Sequence, residues 1–198
     1  MSYVVATYMN IDAWNKTGVN WLRKAKSAGL TGFIVGDGLP PEADIKAKEL
    51  AFKVVPIIVK FGDERDKYRT VAEEIKKGQR CLFVNHNITP KGGLSEAREI
   101  TCNRDESLDL LEVVSLIRNL QDRAKAVELI RDKIISVHQG LLSTKSVLGT
   151  WDFWNSLSAF YDYLQEINYL DRRASYNELA FNLYVALAES ISLEVCND

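Results

Sequence analysis

Arg80-Cys81-Leu82-Phe83-Val84, running directly into Asn85-His86-Asn87-Ile88-Thr89-Pro90, is the stretch on which the fold reading turns. A short apolar run bounded by turn-forming residues reads as a strand buried on both faces. Lys91-Gly92-Gly93 completes the turn beyond it. Where such a strand belongs to a parallel sheet, its carboxyl end is the place to look for a ligand. The triplet Asn85-His86-Asn87 is that end.

Upstream of this stretch, strand and helix alternate. Tyr3 to Tyr8 is rich in β-branched and aromatic residues and predicts a first strand. A helix is expected from about Asp12 to Ala28, with Trp14, Trp21, Leu22 and Ala25 on a buried side and Gly29 as its stop. Leu30 to Val35 predicts a second strand ending in Gly36-Asp37-Gly38. Pro40-Pro41 opens a short helix to about Ala51, because proline lacks an N–H where the first turn needs none. Val54 to Val59 predicts a third strand despite Pro56, and Asp63 to Lys77 a helix closed by Gly78. The expectation is an α/β fold with a mostly parallel central sheet flanked by helices. Tyr8-Met9-Asn10, Gly36-Asp37-Gly38 and Asn85-His86-Asn87 then converge on one sheet edge.

Downstream the pattern loosens. Strands are expected at about Leu111 to Leu116 and Ile134 to Leu142, the latter interrupted at Gly140, with a helix from about Leu120 to Lys133 between them. Trp151, Trp154, Leu157, Phe160, Tyr161 and Leu164 recur at helical spacing and predict a helix from about Thr150 to Asn168. A last helix is expected from about Tyr176 to Glu189. No repeat or linker separates the halves, so residues 1–198 read as a single domain.

Composition narrows the classes. With 46% hydrophobic residues among 198, the chain can bury a sizeable core. A net charge of −2 argues against a general nucleic-acid binder, which needs a basic surface to neutralise phosphates. Cys81, Cys102 and Cys196 form no C-x-x-C pair, so neither zinc nor a disulfide framework is suggested. Cys81 reads as a small core residue. No signal peptide or membrane-spanning run is evident, and the expected location is cytoplasmic. The aromatic C-terminal half leaves a homodimer interface open.

The segment from Cys81 to Ser95 resembles the metal-binding strand end of glycosyltransferases with the GT-A fold, the nucleotide-diphospho-sugar transferases. In that family the triplet is Asp-x-Asp, followed by an apolar residue and a turn. Val4 to Asn10 is similar to the first strand and nucleotide-contacting loop. Val137-His138-Gln139-Gly140-Leu141-Leu142 resembles a later Asn-x-Gly-apolar strand, and Ser175 to Asn182 an acidic Asp-Gln-x-x-x-Asn type segment. The resemblance implies a GT-A-like, Rossmann-related sheet that binds a nucleotide-sugar donor and passes the sugar to an unknown acceptor. It implies Tyr8 and Asp37 in the nucleotide pocket and Asn85 and Asn87 at the metal or diphosphate position. His138 and Gly140 fall on the sugar or acceptor side, with Glu178 as a catalytic base or a stabiliser of positive charge.

The departures are chemical. A divalent cation, manganese or magnesium, bridges the donor phosphates in that family, and carboxylates hold it. Asn85 and Asn87 offer amide oxygens without charge, which weakens the site and leaves a non-catalytic nucleotide- or sugar-binding descendant as the alternative. A His-x-x-Gly-x-x-Lys segment seen in related families is absent. Plainer roles exist for each residue: Asp37 as a turn residue, the Asn triplet as an ordinary polar turn, His138 as a structural histidine, Glu178 at a helix start, Trp151 and Trp154 in the core.

Overall fold

The computed structural model describes residues 3–58, 65–88, 97–100, 146–166 and 193–196, together with Phe181 and Tyr184. Side chains alternate along β1 (Tyr3–Asn10), with Val5, Thr7 and Met9 towards one face of the sheet and Ala6 and Tyr8 towards the other. Both faces are covered, so β-branched and apolar residues run nearly without interruption. The same holds for β2 (Gly32–Asp37) and β4 (Arg80–Val84). β3 (Phe52–Ile57) lies at the sheet edge, which is where Pro56, having no N–H, costs no ladder hydrogen bond.

These four strands are parallel and ordered β3-β2-β1-β4. The chain after β1 forms α1 (Ile11–Ala13), a π-helical turn (Trp14–Gly18) and α2 (Val19–Ser27), and after β2 it forms α3 (Pro41–Glu49). Moving from β1 to β2 to β3, right-handed crossovers put all of these on one face. There Trp21, Leu22, Ala25, Ala43 and Ala47 pack on Val5, Ile34 and Leu82. The chain then moves back past β1 to reach β4, so α4 (Arg65–Glu74) falls on the opposite face. The reversal of strand order makes the β1–β4 boundary a topological switch point.

Beyond β4 the sheet continues through β6 (Ser146–Thr150), β7 (Leu193–Cys196) and β5 (Ala97–Ile100), each antiparallel to its neighbour. The sheet is therefore mixed, and the expectation of a mostly parallel one is corrected. The physical cause is visible at β6. Thr150 pairs with Arg80, so β6 ends where β4 begins, and the Trp151 N–H donates to Gln79 O at 3.0 Å. The next helix, α5 (Trp151–Glu166), therefore starts at the amino edge of the parallel strands and lies antiparallel to α4. Trp151 Nε1 donates to Ala72 O, and Arg69 pairs with Asp162 farther along. Trp154, Leu157 and Tyr161 of α5 are wholly buried; the Trp154 ring meets Tyr68 and Phe83, and the Tyr161 ring meets Tyr68, in an aromatic layer.

The expected helix from about Thr150 to Asn168 corresponds to α5, whereas no element was expected where β6 forms. The strands and helix expected between Leu111 and Leu142 lie outside the described residues, as does most of the helix expected from Tyr176 to Glu189. Cys81 is fully buried in β4, and burial pushes its thiol far up from the ordinary range. Among the described residues no helix is long and apolar enough to cross a membrane.

Candidate functional site

Because β1, β2 and β4 are parallel, their polar ends do converge on one sheet edge. Tyr8 pairs with Val35, so Asp37, two residues on, shares the face of the Tyr8 ring. The Tyr8 hydroxyl donates to Asp37 Oδ2 at 2.9 Å. From α4, the Lys67 ammonium lies 4.0 Å from the centre of the Tyr8 ring, a cation–π contact. The resemblance nominated Tyr8 and Asp37 separately, and the fold brings them into direct contact with a carboxylate edge at the switch point. Asn10 takes a local role: its Oδ1 accepts from the Ala13 N–H at 2.9 Å and caps α1.

Asn85 to Ile88 form a tight turn, with the Ile88 N–H donating to Asn85 O at 2.9 Å. Within it Asn85 Oδ1 accepts from the Asn87 N–H at 3.3 Å, an Asx-type closure. The oxygen nominated for a cation thus serves its own turn, and Asn87 is exposed. Among the described residues no group of three or more His, Cys, Asp or Glu could hold a metal ion. Uncharged amide oxygens can ligate a hard cation but hold it less tightly than carboxylates do.

No protein-family model matches the chain, and no curated protein matches it. The site must therefore be read from its own chemistry. On the other face of the sheet, the imidazole of His86 reaches the π-helical turn. Thr17 Oγ1 lies 3.2 Å from His86 Nδ1 and 2.9 Å from Ala13 O. Thr17 has one hydroxyl proton, and a carbonyl can only accept. The direction of the Thr17–His86 contact follows the tautomer of the ring, since the hydroxyl can accept from Nδ1–H or donate to a bare Nδ1. Burial, and secondly the Lys16 ammonium, lower the His86 pKa from an ordinary value already below neutrality. Both effects favour the neutral imidazole.

A crevice of about 50 Å³ opens here, lined by Thr17, Asn20, Trp21, Lys24, His86 and Asn87. The Trp21 indole Nε1 is buried and has no hydrogen-bond partner among the described residues. His138, Gly140 and Glu178 lie outside the described residues. Sequence reasoning passed over Thr17 and Lys67. A glycine inside a helix is one signal that was available: Gly18 costs helix stability, yet a Cβ there would overlap the Trp14 indole. Its smallness is what lets the π-helical turn form over that ring.

Proposed function

We propose that this chain binds a nucleotide-sugar at the carboxyl edge of β1, β2 and β4 and transfers the sugar to an acceptor, in the manner of GT-A-fold glycosyltransferases. The observation that carries the reading is the Tyr8–Asp37 pair beside the β1–β4 switch point. A carboxylate held by a tyrosine hydroxyl can still accept hydrogen bonds from a ribose or a base N–H, since each of its oxygens has two acceptor positions. The diphosphate would then lie towards Asn85 and Asn87, held by basic side chains more than by a resident cation. Glu178, His138 and Gly140 remain the residues that the resemblance nominates for the chemistry.

Thermal shift with a panel of nucleotides and nucleotide-sugars, with and without manganese, tests this directly. A nucleoside diphosphate is expected to raise the Tm, and Asp37→Ala to weaken its binding by about tenfold or more, the effect of losing a charged hydrogen bond. No shift with any nucleotide defeats the proposal.

The turn closed by Asn85 supports a second reading, a nucleotide- or sugar-binding protein without transferase activity. Nucleotide binding without hydrolysis or transfer of any donor sugar would favour it. The replacement Asn85→Asp with Asn87→Asp separates fold from charge. If these positions flank the diphosphate, the double variant should bind manganese roughly tenfold tighter by calorimetry, because ligand charge count sets hard-cation affinity. No gain would place the metal position elsewhere.

A further inference from the structure

A larger opening lies in the groove between α4 and α5, with a volume of about 460 Å³, within the range of small-molecule sites. The two helices run antiparallel, so the Arg69–Asp162 pair fixes the level of the other residues along the groove. One turn on from that pair, forward along α4 and back along α5, Glu73 stands across from Ser158. Asn155 lies one turn before Ser158 on the same face of α5 and lines the groove with it. Trp151 comes a further turn on and closes that end, its indole N–H already given to Ala72 O.

The charges of the lining decide the sign of an occupant. Arg69 and Asp162 balance each other, and Glu73 leaves the groove with one negative charge in excess. Glu73 forms no ion pair among the described residues. An anion is disfavoured, since the one guanidinium in the lining is held by a carboxylate. The acceptors then decide the kind of cation. The Glu73 carboxylate, the Asn155 amide oxygen and the Ser158 hydroxyl all accept, and a hydroxyl can accept whatever its own proton does. Ser158 is only 6% exposed, so its hydroxyl belongs to the floor of the groove. A primary ammonium has three N–H donors to match these three acceptors, whereas a quaternary ammonium has none. A hard divalent metal calls for more carboxylates than Glu73 alone supplies. Beside the acceptors the lining is apolar: Ile75 is buried, and Ala72 and Ala159 are small enough to leave room between the helices. Trp151 stands two turns from Ser158, about 10 Å along α5, and ends this stretch with an aromatic surface.

We propose that the α4–α5 groove binds a small primary amine with an apolar tail, in the class of an arylalkylamine. Its ammonium group donates to Glu73, Asn155 and Ser158, and its tail lies over Ala72 and Ile75 towards Trp151.

The test uses the full chain and phenethylamine as the probe, with its trimethylammonium derivative, phenethyl alcohol, phenylacetate and ethylamine as comparisons. Calorimetry gives the affinities. Nitrogen-15 spectra of the four indole N–H groups locate the binding, with Trp151→Phe assigning the one at the groove. Phenethylamine is expected to shift the Trp151 signal and to bind about tenfold more tightly than any comparison, the weight of a charged hydrogen bond. Glu73→Gln, at an exposed position where the fold tolerates it, should weaken binding roughly fivefold, a solvent-screened contact. Ser158→Ala should weaken it by a similar factor, about one neutral hydrogen bond. The proposal is overturned if the trimethylammonium derivative or phenylacetate binds as tightly, if Glu73→Gln changes nothing, or if the Trp151 signal does not move. The probe carries no nucleotide and touches neither Tyr8 nor Asp37, so failure of the nucleotide-sugar reading leaves this result untouched.

Discussion

Trp154→Ala is expected to lower the unfolding free energy by about 3–5 kcal/mol, the range for deleting a large aromatic from a close-packed core. Trp154 is wholly buried at the centre of the layer between β4 and the α4–α5 pair. Its ring stacks on Tyr68 at 5.7 Å and meets Phe153 edge-on at 4.9 Å. Its Nε1–H is shared between Cys81 O and Gly149 O, each at 3.2 Å, bridging β4 and β6 from above. Truncation therefore opens a cavity and removes a donor from two carbonyls together. Urea denaturation measures the loss, with a Tm drop of roughly 10 °C or more for a chain of this size. Trp154→Phe restores much of the volume but not the donor, and should recover more than half of the loss. If the alanine variant costs less than about 1 kcal/mol, α5 does not seal the sheet as described.

Gly32→Ala is the second large effect, and it acts through the backbone. Gly32 opens β2 opposite Val5. A Cβ built on it overlaps the Val5 carbonyl oxygen and lies 2.7 Å from the carbonyl carbon. No rotamer relieves a clash with main chain, so β1 and β2 must separate at that point. The adjoining hydrogen bond from the Val5 N–H to Thr31 O, at 2.9 Å, would go with them. The expected cost is at least about 3 kcal/mol, at the upper end of overpacking. Gly29→Ala gives the contrast: its φ of 73° is strained for alanine, but no atom lies within 4 Å of the added Cβ. It should cost only about 1 kcal/mol. Comparable losses for the two variants would mean that backbone conformation, rather than the close approach of β1, governs Gly32.

The parallel half of the sheet was legible because its signals are local. Arg80–Val84 was expected with its observed bounds, and the proline-led helix and the strand ending at Asp37 were displaced by only a few residues. Strand direction on the far side of β4 carries no such mark. Ser146-Val147-Leu148-Gly149-Thr150 holds two large apolar residues and a glycine, too little to read as a strand. That glycine is small because the Phe153 ring occupies the space of its missing Cβ, a contact invisible before α5 is folded back.

At the site, the alternation of strand and helix placed the polar strand ends on one edge, and the turn at Asn85 follows from asparagine's local hydrogen-bonding habit. The Tyr8–Asp37 bond spans 29 positions and the Thr17–His86 contact 69, so both depend on the register of assembled strands.

The binding of α5 across the start of β4 also has a consequence for biosynthesis. As the chain leaves the ribosome, β4 is complete at Val84, but the strand that pairs its outer side begins only at Ser146. Until then β4 presents an open hydrogen-bonding edge, and Phe83 and Tyr68 lack the indole that covers them. An uncovered strand edge beside exposed aromatics is the condition under which nascent chains pair with one another. The interval of some sixty residues is a window in which a chaperone that shields β4 should raise the yield of folded protein.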